Sequence, residues 1–197
     1  MSNSKIDIKS MNLAELTEFV ASIGEKAFRA KQLYQWLHVK QVYAFDDMTN
    51  LSKAFREKLN EVSFITDLKQ EQVQISQIDG TRKYLFLLED GNVIESVLMR
   101  YKHGNSVCIS SQVGCRMGCR FCASTLDGLV RGLRPSEMID QIYKIGQDIG
   151  ERISNVVVMG TGEPMDNYDN LLKFITLLTD ENGLNISQRN LTVSTCG

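Results

Sequence analysis

Cys115-Arg-Met-Gly-Cys119-Arg-Phe-Cys122 is the stretch on which the interpretation of this sequence depends. It places three cysteines within eight residues, with the spacing C-x-x-x-C-x-x-C. Core packing does not require three thiols so close together, whereas deprotonated thiols are soft ligands that select zinc, copper(I) or iron–sulfur clusters. A short loop that contains the small residue Gly118 can wrap around one centre. The stretch therefore predicts a metal site held by Cys115, Cys119 and Cys122.

Three ligands from one loop leave the coordination of such a metal site incomplete. A structural zinc site and an ordinary 4Fe–4S cluster each take four protein ligands. If the three cysteines hold a 4Fe–4S cluster, one iron has no protein ligand and can bind a chelating small molecule. The alternatives are a zinc knuckle completed by Cys108 or His103 and a disulfide, which is disfavoured because the chain has no secretory features.

The composition is that of an ordinary globular protein. The chain has 197 residues, a net charge of −2, 43% hydrophobic residues and five cysteines, which suits one domain or two small ones. No stretch is as long and apolar as a membrane span, and the polar start Ser2-Asn-Ser-Lys5 does not resemble a signal peptide. We therefore expect no membrane association and a cytoplasmic, reducing location, where clustered cysteines indicate metal binding or catalysis.

Positive charge is concentrated around the cysteine loop. Residues 100–134 contain six basic residues and one acidic residue, Asp127. The basic residues are Arg100, Lys102, Arg116, Arg120, Arg131 and Arg134. They are either solvated surface side chains or the binding site of an anionic substrate, for which RNA is a candidate. The two arginines inside the loop itself favour the second interpretation.

Residues 1–62 are predicted to form a small all-helical domain. Apolar residues recur at helical spacing in three segments between residues 11 and 60. Gly24 can end the first helix, and Asn50 or Ser52 can begin the third. The aromatic residues of this region form either a small core or an exposed surface on which bases stack. They are Tyr34, Trp36, Tyr43 and Phe45.

Residues 68–100 are predicted to form a three-stranded antiparallel meander that links the helical domain to the rest. The turn signals Asp79-Gly80 and Asp90-Gly91 separate its strands. On the last strand Glu95 shares a face with Val93, Val97 and Met99. Burial in such an apolar row would favour the protonated carboxyl and make it a proton carrier near neutral pH. The alternative is an edge-strand glutamate that reaches water.

Residues 101–197 alternate between strand and helix. Strands are predicted over 106–110, 155–159 and 191–195, with one helix that starts at Ser136 as the N-cap and ends at Gly150, and another over 168–179. The continuous apolar run Val156-Val-Val158 is typical of a strand buried on both faces of a parallel sheet. The order strand–helix–strand–helix–strand predicts the α/β fold class, with a parallel sheet or barrel.

Three unusual stretches follow the three predicted strands. The cysteine loop follows the first, Gly160-Thr-Gly162-Glu163-Pro164 the second, and Ser194-Thr-Cys196-Gly197 the third. Ligands of such sheets bind at the carboxyl ends of the strands, so the three stretches are expected to meet at one rim. There the glycine turn offers backbone groups to the amino end of a small molecule, and Glu163 offers a carboxylate to an ammonium group.

Together these motifs resemble those of the RlmN-type radical S-adenosylmethionine (SAM) methyltransferases. The resemblance rests on Ser110–Thr125, Met159–Pro164 and Leu191–Thr195, and it extends over nearly the whole chain. It implies a radical SAM (β/α)6 partial barrel, of which residues 101–197 are the first half, preceded by a helical domain that helps to hold RNA. It also implies methylation of carbon 2 of an adenine in 23S ribosomal RNA and in some tRNAs. The related Cfr-type enzymes methylate carbon 8, and Pro164 after Glu163 fits the carbon-2 group better.

The resemblance implies a role for each matching residue. The ligands of a 4Fe–4S cluster are matched by Cys115, Cys119 and Cys122. The positions that bind SAM are matched by Gly162, Glu163 and Ser194. Glu95 matches the proton acceptor of the family, and Cys108 matches the thiol that resolves the adduct between protein and RNA.

The implied reaction uses two SAM molecules and an electron donor such as flavodoxin or ferredoxin. One SAM methylates a carrier cysteine, and the other is cleaved on the cluster to a deoxyadenosyl radical that takes a hydrogen from that methyl group. The resulting carbon radical adds to the adenine, Glu95 takes a proton, and Cys108 attacks to release the product.

No cysteine among these residues matches the methyl carrier, which is expected beyond Gly197, and Cys196 is its only rival. We therefore expect the 197 residues alone not to methylate RNA. Three other functions stay open at this point. They are the Cfr-type reaction, another radical SAM reaction such as that of an activase, and a zinc-stabilised RNA-binding module that is not an enzyme.

Overall fold

A computed structural model describes residues 5–196. These residues form two compact units, one of residues 5–66 with 175–185 and the other of residues 67–174 with 186–196. The sequence predicts boundaries after residues 62 and 100 and contains no signal that joins 175–185 to the first unit. Within the described residues, no helix is both long and apolar enough to cross a lipid bilayer.

The first unit contains the three predicted helices, α1 (Leu13–Ser22), α2 (Phe28–His38) and α3 (Lys53–Val62). Asn12 and Glu15 form a capping box at the start of α1, and Ser52 caps α3. The prediction of an all-helical domain is wrong in one respect, because β1 (Ile6–Asp7) and β2 (Ser63–Phe64) pair in parallel. Strands of two residues have no periodic pattern that a sequence could display.

The aromatic residues of this unit form a core rather than a stacking surface. Tyr34, Trp36 and Phe45 are 0%, 8% and 4% exposed, and the Trp36 Nε1–H donates to Asn50 Oδ1 at 2.5 Å. Tyr43 is half-buried, with the ammonium of Lys9 4.1 Å from its ring centroid. These side chains are therefore committed to packing within the unit.

His38 on α2 is buried beside a polar pair. Its ring centroid lies 4.4 Å from that of Tyr34, whose hydroxyl donates to Asp180 Oδ2 at 3.0 Å. Burial and the nearby charge of Lys9 lower the pKa of His38 to about 3, against the opposing effect of Asp180. The imidazole is therefore neutral in the folded protein at any pH above about 3.

Acidification from pH 7 to pH 5 is expected to destabilise this unit through His38. The unfolded chain binds the proton near the ordinary histidine pKa of about 6.5, so stability is lost as the pH falls from there toward the folded value, by about 2 kcal/mol at pH 5. Urea unfolding followed by the fluorescence of Trp36, the only tryptophan of the chain, measures this loss. In His38→Phe the loss between pH 7 and pH 5 should shrink by the same amount, and an unchanged loss would contradict the assignment.

The second unit is built on a six-stranded mixed sheet in the order β10-β9-β6-β5-β4-β3. Its strands are β3 (Lys69–Ile75), β4 (Arg82–Leu87), β5 (Val93–Tyr101), β6 (Gly104–Ile109), β9 (Ile153–Val158) and β10 (Leu191–Val193). Neighbours from β3 to β6 are antiparallel, and β6, β9 and β10 are parallel. The meander is therefore not a separate linker, because β5 pairs with β6 and makes it part of the same sheet.

Two helices and a small hairpin complete this unit. The helices are α4 (Pro135–Ile149) and α5 (Tyr168–Thr179), and the hairpin pairs β7 (Gln112–Gly114) with β8 (Leu129–Gly132). Of α5, residues 168–174 belong to this unit and the rest to the first. Gly150 ends α4 in the left-handed conformation, as expected, but the predicted N-cap is wrong. Arg134 occupies the N-cap and Pro135 the first helical position, where proline is favoured because its nitrogen needs no hydrogen-bond acceptor.

The two faces of the sheet differ in burial. On β5 the buried side chains are Ile94, Ser96 and Leu98, and the Ser96 hydroxyl donates to Gln141 Oε1 of α4 at 2.7 Å. Glu95 points to the opposite face, where its side chain is 49% exposed and its carboxylate lies 2.7 Å from Lys83 Nζ. The predicted burial of Glu95 in an apolar row is therefore wrong. The side chain reaches water as in the alternative, but β5 is not an edge strand, because it pairs with both β4 and β6.

Candidate functional site

The cysteine loop is held at its two ends by the β7–β8 hairpin. The Cys115 N–H donates to the carbonyl of Gly128 at 3.0 Å, which closes the loop on itself. Gly114 has a φ of +71°, and a Cβ at this position would overlap the same carbonyl. Only glycine fits there without a shift of the backbone. The three cysteines thus sit on a loop whose two ends are fixed against each other.

The stretches that follow β6, β9 and β10 meet around one open cavity of about 220 Å³. Six of the eight residues singled out from the sequence line it. They are Cys115, Cys119, Cys122, Gly162, Glu163 and Ser194. The expectation that the carboxyl ends of the parallel strands share one rim is therefore confirmed. Glu95 and Cys108, the other two, are not among the residues that line this cavity.

The three cysteines of the loop are free thiols, as are Cys108 and Cys196, so the structure contains no disulfide among the described residues. Cys115 is 7% exposed, and Cys119 and Cys122 are half-buried. No three His, Cys, Asp or Glu side chains in residues 5–196 converge closely enough to hold a single metal ion. A zinc ion needs its sulfur ligands about 2.3 Å from one point, whereas a cubane spreads its thiolates over separate irons. The three thiols of the loop line one cavity, where each could bind a separate iron of a cubane.

Glu163 is a buried carboxylate whose two oxygens both accept backbone hydrogen bonds. Oε1 accepts from the N–H of Met165 at 2.9 Å, and Oε2 accepts from the N–H of Cys196 at 2.8 Å. Burial acts to raise the pKa of Glu163, but these backbone donors outweigh it and the pKa lies below its usual value. The group is therefore ionised at neutral pH, and hydrogen bonds from the side chains of Thr195 and Cys196 stabilise the charged form further.

The end of β10 brings Ser194 and Cys196 to the same cavity. The N–H of Ser194 donates to the carbonyl of Val158 at 3.1 Å, which continues the pairing of β10 with β9. Cys196 is exposed, and its neighbour Glu163 raises the pKa of its thiol. A thiol beside a carboxylate is a weaker metal ligand at neutral pH than one without such a neighbour.

Cys108 and Glu95 share the less covered face of the sheet. Cys108 on β6 pairs with Val97, which lies two residues after Glu95 on β5. Paired residues point to the same face, and so do residues two apart on one strand. The Cys108 thiol is half-buried, and burial raises its pKa. The two residues therefore lie on one face near the cavity without forming part of its lining.

Four of the six basic residues around the loop pair with carboxylates from outside residues 100–134. Arg100 pairs with Glu151, Arg116 with Asp166, Arg131 with Asp90 and Glu137, and Arg134 with Glu89 and Glu137. Lys102 and Arg120 make no ion pair with another residue of the described chain and are exposed. The sequence displays the charges but not their partners, so it does not show that much of this positive charge is balanced by carboxylates of other segments. Anion binding by these residues stays a prediction.

The polar side chains that join the loops around the cavity were not predicted from the sequence. Gln112 and Asn167 are 1% and 9% exposed. Asp166, the residue before Asn167, accepts a hydrogen bond from the Gln112 side chain. Their position in sequence was the available signal, since Gln112 precedes the cysteine loop and the other two follow the glycine turn. Polar residues next to a binding loop have no periodic pattern, so nothing separated them from solvated loop residues.

Two family models match the chain. Residues 6–65 match the model described as "Ribosomal RNA large subunit methyltransferase N-terminal domain", and residues 109–197 match that of the radical SAM superfamily. The first match covers the helices and the two short strands of the first unit. The second begins at the end of β6 and includes the cysteine loop, the glycine turn and β10.

Curated relatives and a solved structure match nearly the whole chain. A "Probable dual-specificity RNA methyltransferase RlmN" of Lachnospira eligens is 69% identical over 191 residues, covering 97% of this chain and 55% of the relative. The protein of the same description from Lachnoclostridium phytofermentans is 63% identical, covering 98% and 54%. A radical SAM methyltransferase from Sphaerobacter thermophilus superposes with a TM-score of 0.89 at 37% identity, covering 98% of this chain and 57% of that one. The chain thus spans about half the length of the proteins it matches.

Proposed function

This chain belongs to the RlmN family of radical SAM proteins, and we propose that it forms the cluster- and SAM-binding part of an RNA methyltransferase. The target is carbon 2 of an adenine in 23S ribosomal RNA, with tRNA as a second substrate. The observation that carries the proposal is the cavity at the ends of β6, β9 and β10, where three thiols of one loop face a glycine turn and an ionised carboxylate. A pocket that combines soft ligands with a carboxylate suits a cluster beside a small cationic ligand.

Membership in the radical SAM superfamily implies a 4Fe–4S cluster and SAM as cofactors. Cys115, Cys119 and Cys122 would hold the cluster, which supplies one-electron reduction of SAM when it is bound. Cys115 is fixed most firmly, because its backbone closes the loop on Gly128 and its side chain is buried. A flavodoxin or ferredoxin is the proposed source of the electron.

Glu163 would bind the ammonium group of SAM. Its carboxylate is ionised at neutral pH, and its orientation is fixed by the backbone N–H groups of Met165 and Cys196. A preoriented carboxylate attracts a cation without the entropy cost of ordering a mobile side chain. Gly162, with a φ of +106°, and Ser194 line the same cavity.

Glu95 and Cys108 would act on the RNA base rather than on SAM. Glu95 is exposed on the sheet face that also carries Cys108, and its carboxylate is paired with Lys83 at 2.7 Å. Glu95 accepts the proton that leaves the adenine carbon. Burial keeps the Cys108 thiol protonated at rest, so its attack on the adduct requires a proton acceptor at that step.

The proposal is tested with the complete protein that contains this chain. Anaerobically reconstituted protein is incubated with SAM, a reductant and unmodified 23S ribosomal RNA or tRNA, and the digested RNA is analysed by mass spectrometry. We expect 2-methyladenosine. The appearance of 8-methyladenosine would assign the reaction to the carbon-8 group, and the absence of any methylated adenosine from a protein loaded with iron and SAM would contradict the function.

The variant Glu95→Gln is expected to keep its iron and to cleave SAM, but to lose at least about 100-fold in product, because general-base contributions are typically of this order. Both quantities are measured in one reaction, as 5′-deoxyadenosine and 2-methyladenosine. The matched control is Lys83→Met, which removes the partner of Glu95 but leaves the carboxylate in place. Normal product from Glu95→Gln would remove this residue from the mechanism.

A further inference from the structure

The side chain of Gln112 joins the cysteine loop to the glycine turn. It is 1% exposed and lies on β7, three residues before Cys115. Its Oε1 accepts the N–H of Glu163 at 2.8 Å, and its Nε2 donates to Asp166 Oδ2 at 3.0 Å. The oxygen and the nitrogen of this buried amide thus both form hydrogen bonds with the segment that follows β9.

The backbone around Gln112 makes the same connection. The N–H groups of Ser111 and Gln112 donate to the carbonyl of Thr161 at 2.9 Å and 3.2 Å, and the N–H of Thr161 donates to Ser110 Oγ at 3.0 Å. A Cβ on Gly162 would overlap the Cβ and Cγ of Gln112, so the glycine turn lies directly against this side chain. Residues 110–112 and 161–163 therefore form one closely packed seam.

A second contact supports the seam from the cysteine loop itself. Arg116, inside the loop, donates from Nε to Asp166 Oδ1 at 3.1 Å and also from Nη2 to the same oxygen. One carboxylate oxygen of Asp166 therefore accepts from Gln112, and the other accepts from Arg116 of the loop. Arg116 is 63% exposed, so this ion pair contributes little by itself, whereas the contact of the buried Gln112 cannot be replaced by water.

We infer that Gln112 is a positioning residue that sets the distance between the cysteine loop and the SAM-binding carboxylate Glu163. The inference rests on the proposed function, since it assigns the two sides of the seam to the cluster and to SAM. Bound SAM would lie between these two sides, with Glu163 holding its ammonium group. A seam that fixes their spacing before SAM arrives lowers the ordering cost of binding.

The sharpest test is Gln112→Glu, which exchanges one amide nitrogen for oxygen at almost constant volume. The acceptor for the Glu163 N–H is kept, but two carboxylates then face each other at the position of the 3.0 Å contact with Asp166. The variant Gln112→Glu/Asp166→Asn exchanges amide and carboxylate across the contact and restores a donor with the wild-type net charge. The matched control is Gln72→Glu, the same exchange at an exposed position of β3.

The full chain is reconstituted anaerobically, and four quantities are measured for each variant: iron per chain, thermal midpoint, SAM affinity by calorimetry, and the change in the EPR spectrum of the reduced cluster on SAM addition. For Gln112→Glu we expect wild-type iron, SAM affinity weakened about tenfold or more, and a reduced EPR change. The exchanged double variant should return to within about threefold of wild-type affinity, and Gln72→Glu should match the wild type.

Wild-type SAM affinity in Gln112→Glu overturns the inference, and so does a weakened affinity that the exchanged double variant fails to restore. If Gln112→Glu does not fold, Gln112→Met, which keeps the length of the side chain without the charge, takes its place, and wild-type SAM affinity in that variant overturns the inference. A wild-type protein that binds neither iron nor SAM would instead contradict the proposed function, because that result does not depend on Gln112.

Discussion

Replacing Cys115, Cys119 and Cys122 together by alanine is expected to reduce the iron of the anaerobically reconstituted protein from about four atoms per chain to near zero. The three thiols line one cavity. The loop contains no other thiol that could take their place. All three are changed at once because Cys196 lies on the same cavity and could replace a single missing ligand. Iron and acid-labile sulfide are measured together with the visible absorption band of the cluster.

Cys196→Ala is the matched control, because it removes a thiol from the same cavity without changing the loop. It should keep the full iron content, since the carboxylate of Glu163 makes this thiol a poor ligand at neutral pH. A triple variant that retains its cluster would show that the loop is not the iron site. One zinc per wild-type chain, without iron, would support the zinc-stabilised module instead.

The elements with strong local signals could be predicted from the sequence. Helix α3 combines helical spacing of Phe55 and Leu59 with the N-cap Ser52, and all three have the expected role in the structure. The three parallel strands could be located because a buried strand such as Val156–Val158 has an almost continuous apolar sequence. The alternation of strands and helices predicted that the segments after the three parallel strands meet at one rim. Six residues singled out in those segments line the cavity.

The remaining features depend on contacts between distant segments. The alternation along β5 predicts that Glu95 and Ser96 point to opposite faces of the sheet. It does not predict which face α4 covers, and the hydrogen bond of Ser96 to Gln141 identifies that face. The hairpin around the cysteine loop consists of strands of three and four residues, too short for a periodic pattern. The ion pairs around the loop could not be predicted for the same reason, since the partner of Arg116 lies fifty residues away along the chain.

The buried pair of Glu137 and Arg131 is the contact whose removal should destabilise the second unit most. Glu137, in the first turn of α4, is 1% exposed, and its carboxylate accepts both Nη1 and Nη2 of Arg131 at 2.8 Å and 2.9 Å. It also accepts the N–H of Arg134 at 2.8 Å, which caps the helix. Because Arg131 lies on β8, directly after the cysteine loop, this pair fastens the loop to α4.

Glu137→Ala is expected to reduce the free energy of unfolding by about 3–5 kcal/mol, because it leaves a half-buried guanidinium without its main partner. Urea unfolding followed by far-UV circular dichroism measures the loss. Glu89→Ala is the matched control, since Glu89 pairs with Arg134, which also contacts Glu137, but its side chain is 70% exposed. An exposed ion pair contributes about 0.2–1 kcal/mol, so the two variants should differ severalfold.

The pH dependence of the loss provides a second criterion for the charge of Glu137. Burial acts to raise the pKa of Glu137, but the hydrogen bonds from Arg131 and Arg134 outweigh it and hold the pKa below the usual value. The unfolded chain binds the proton first, near the ordinary pKa of about 4.3, so the stabilisation is complete above that pH and is lost as the pH falls through the folded pKa. The difference in stability between the wild type and Glu137→Gln should therefore be largest at pH 7 and shrink progressively below about pH 4. A difference that stays constant over this range would show that the side chain stabilises the unit by its shape and neutral hydrogen bonds, and would refute the role of the ion pair in fastening the loop.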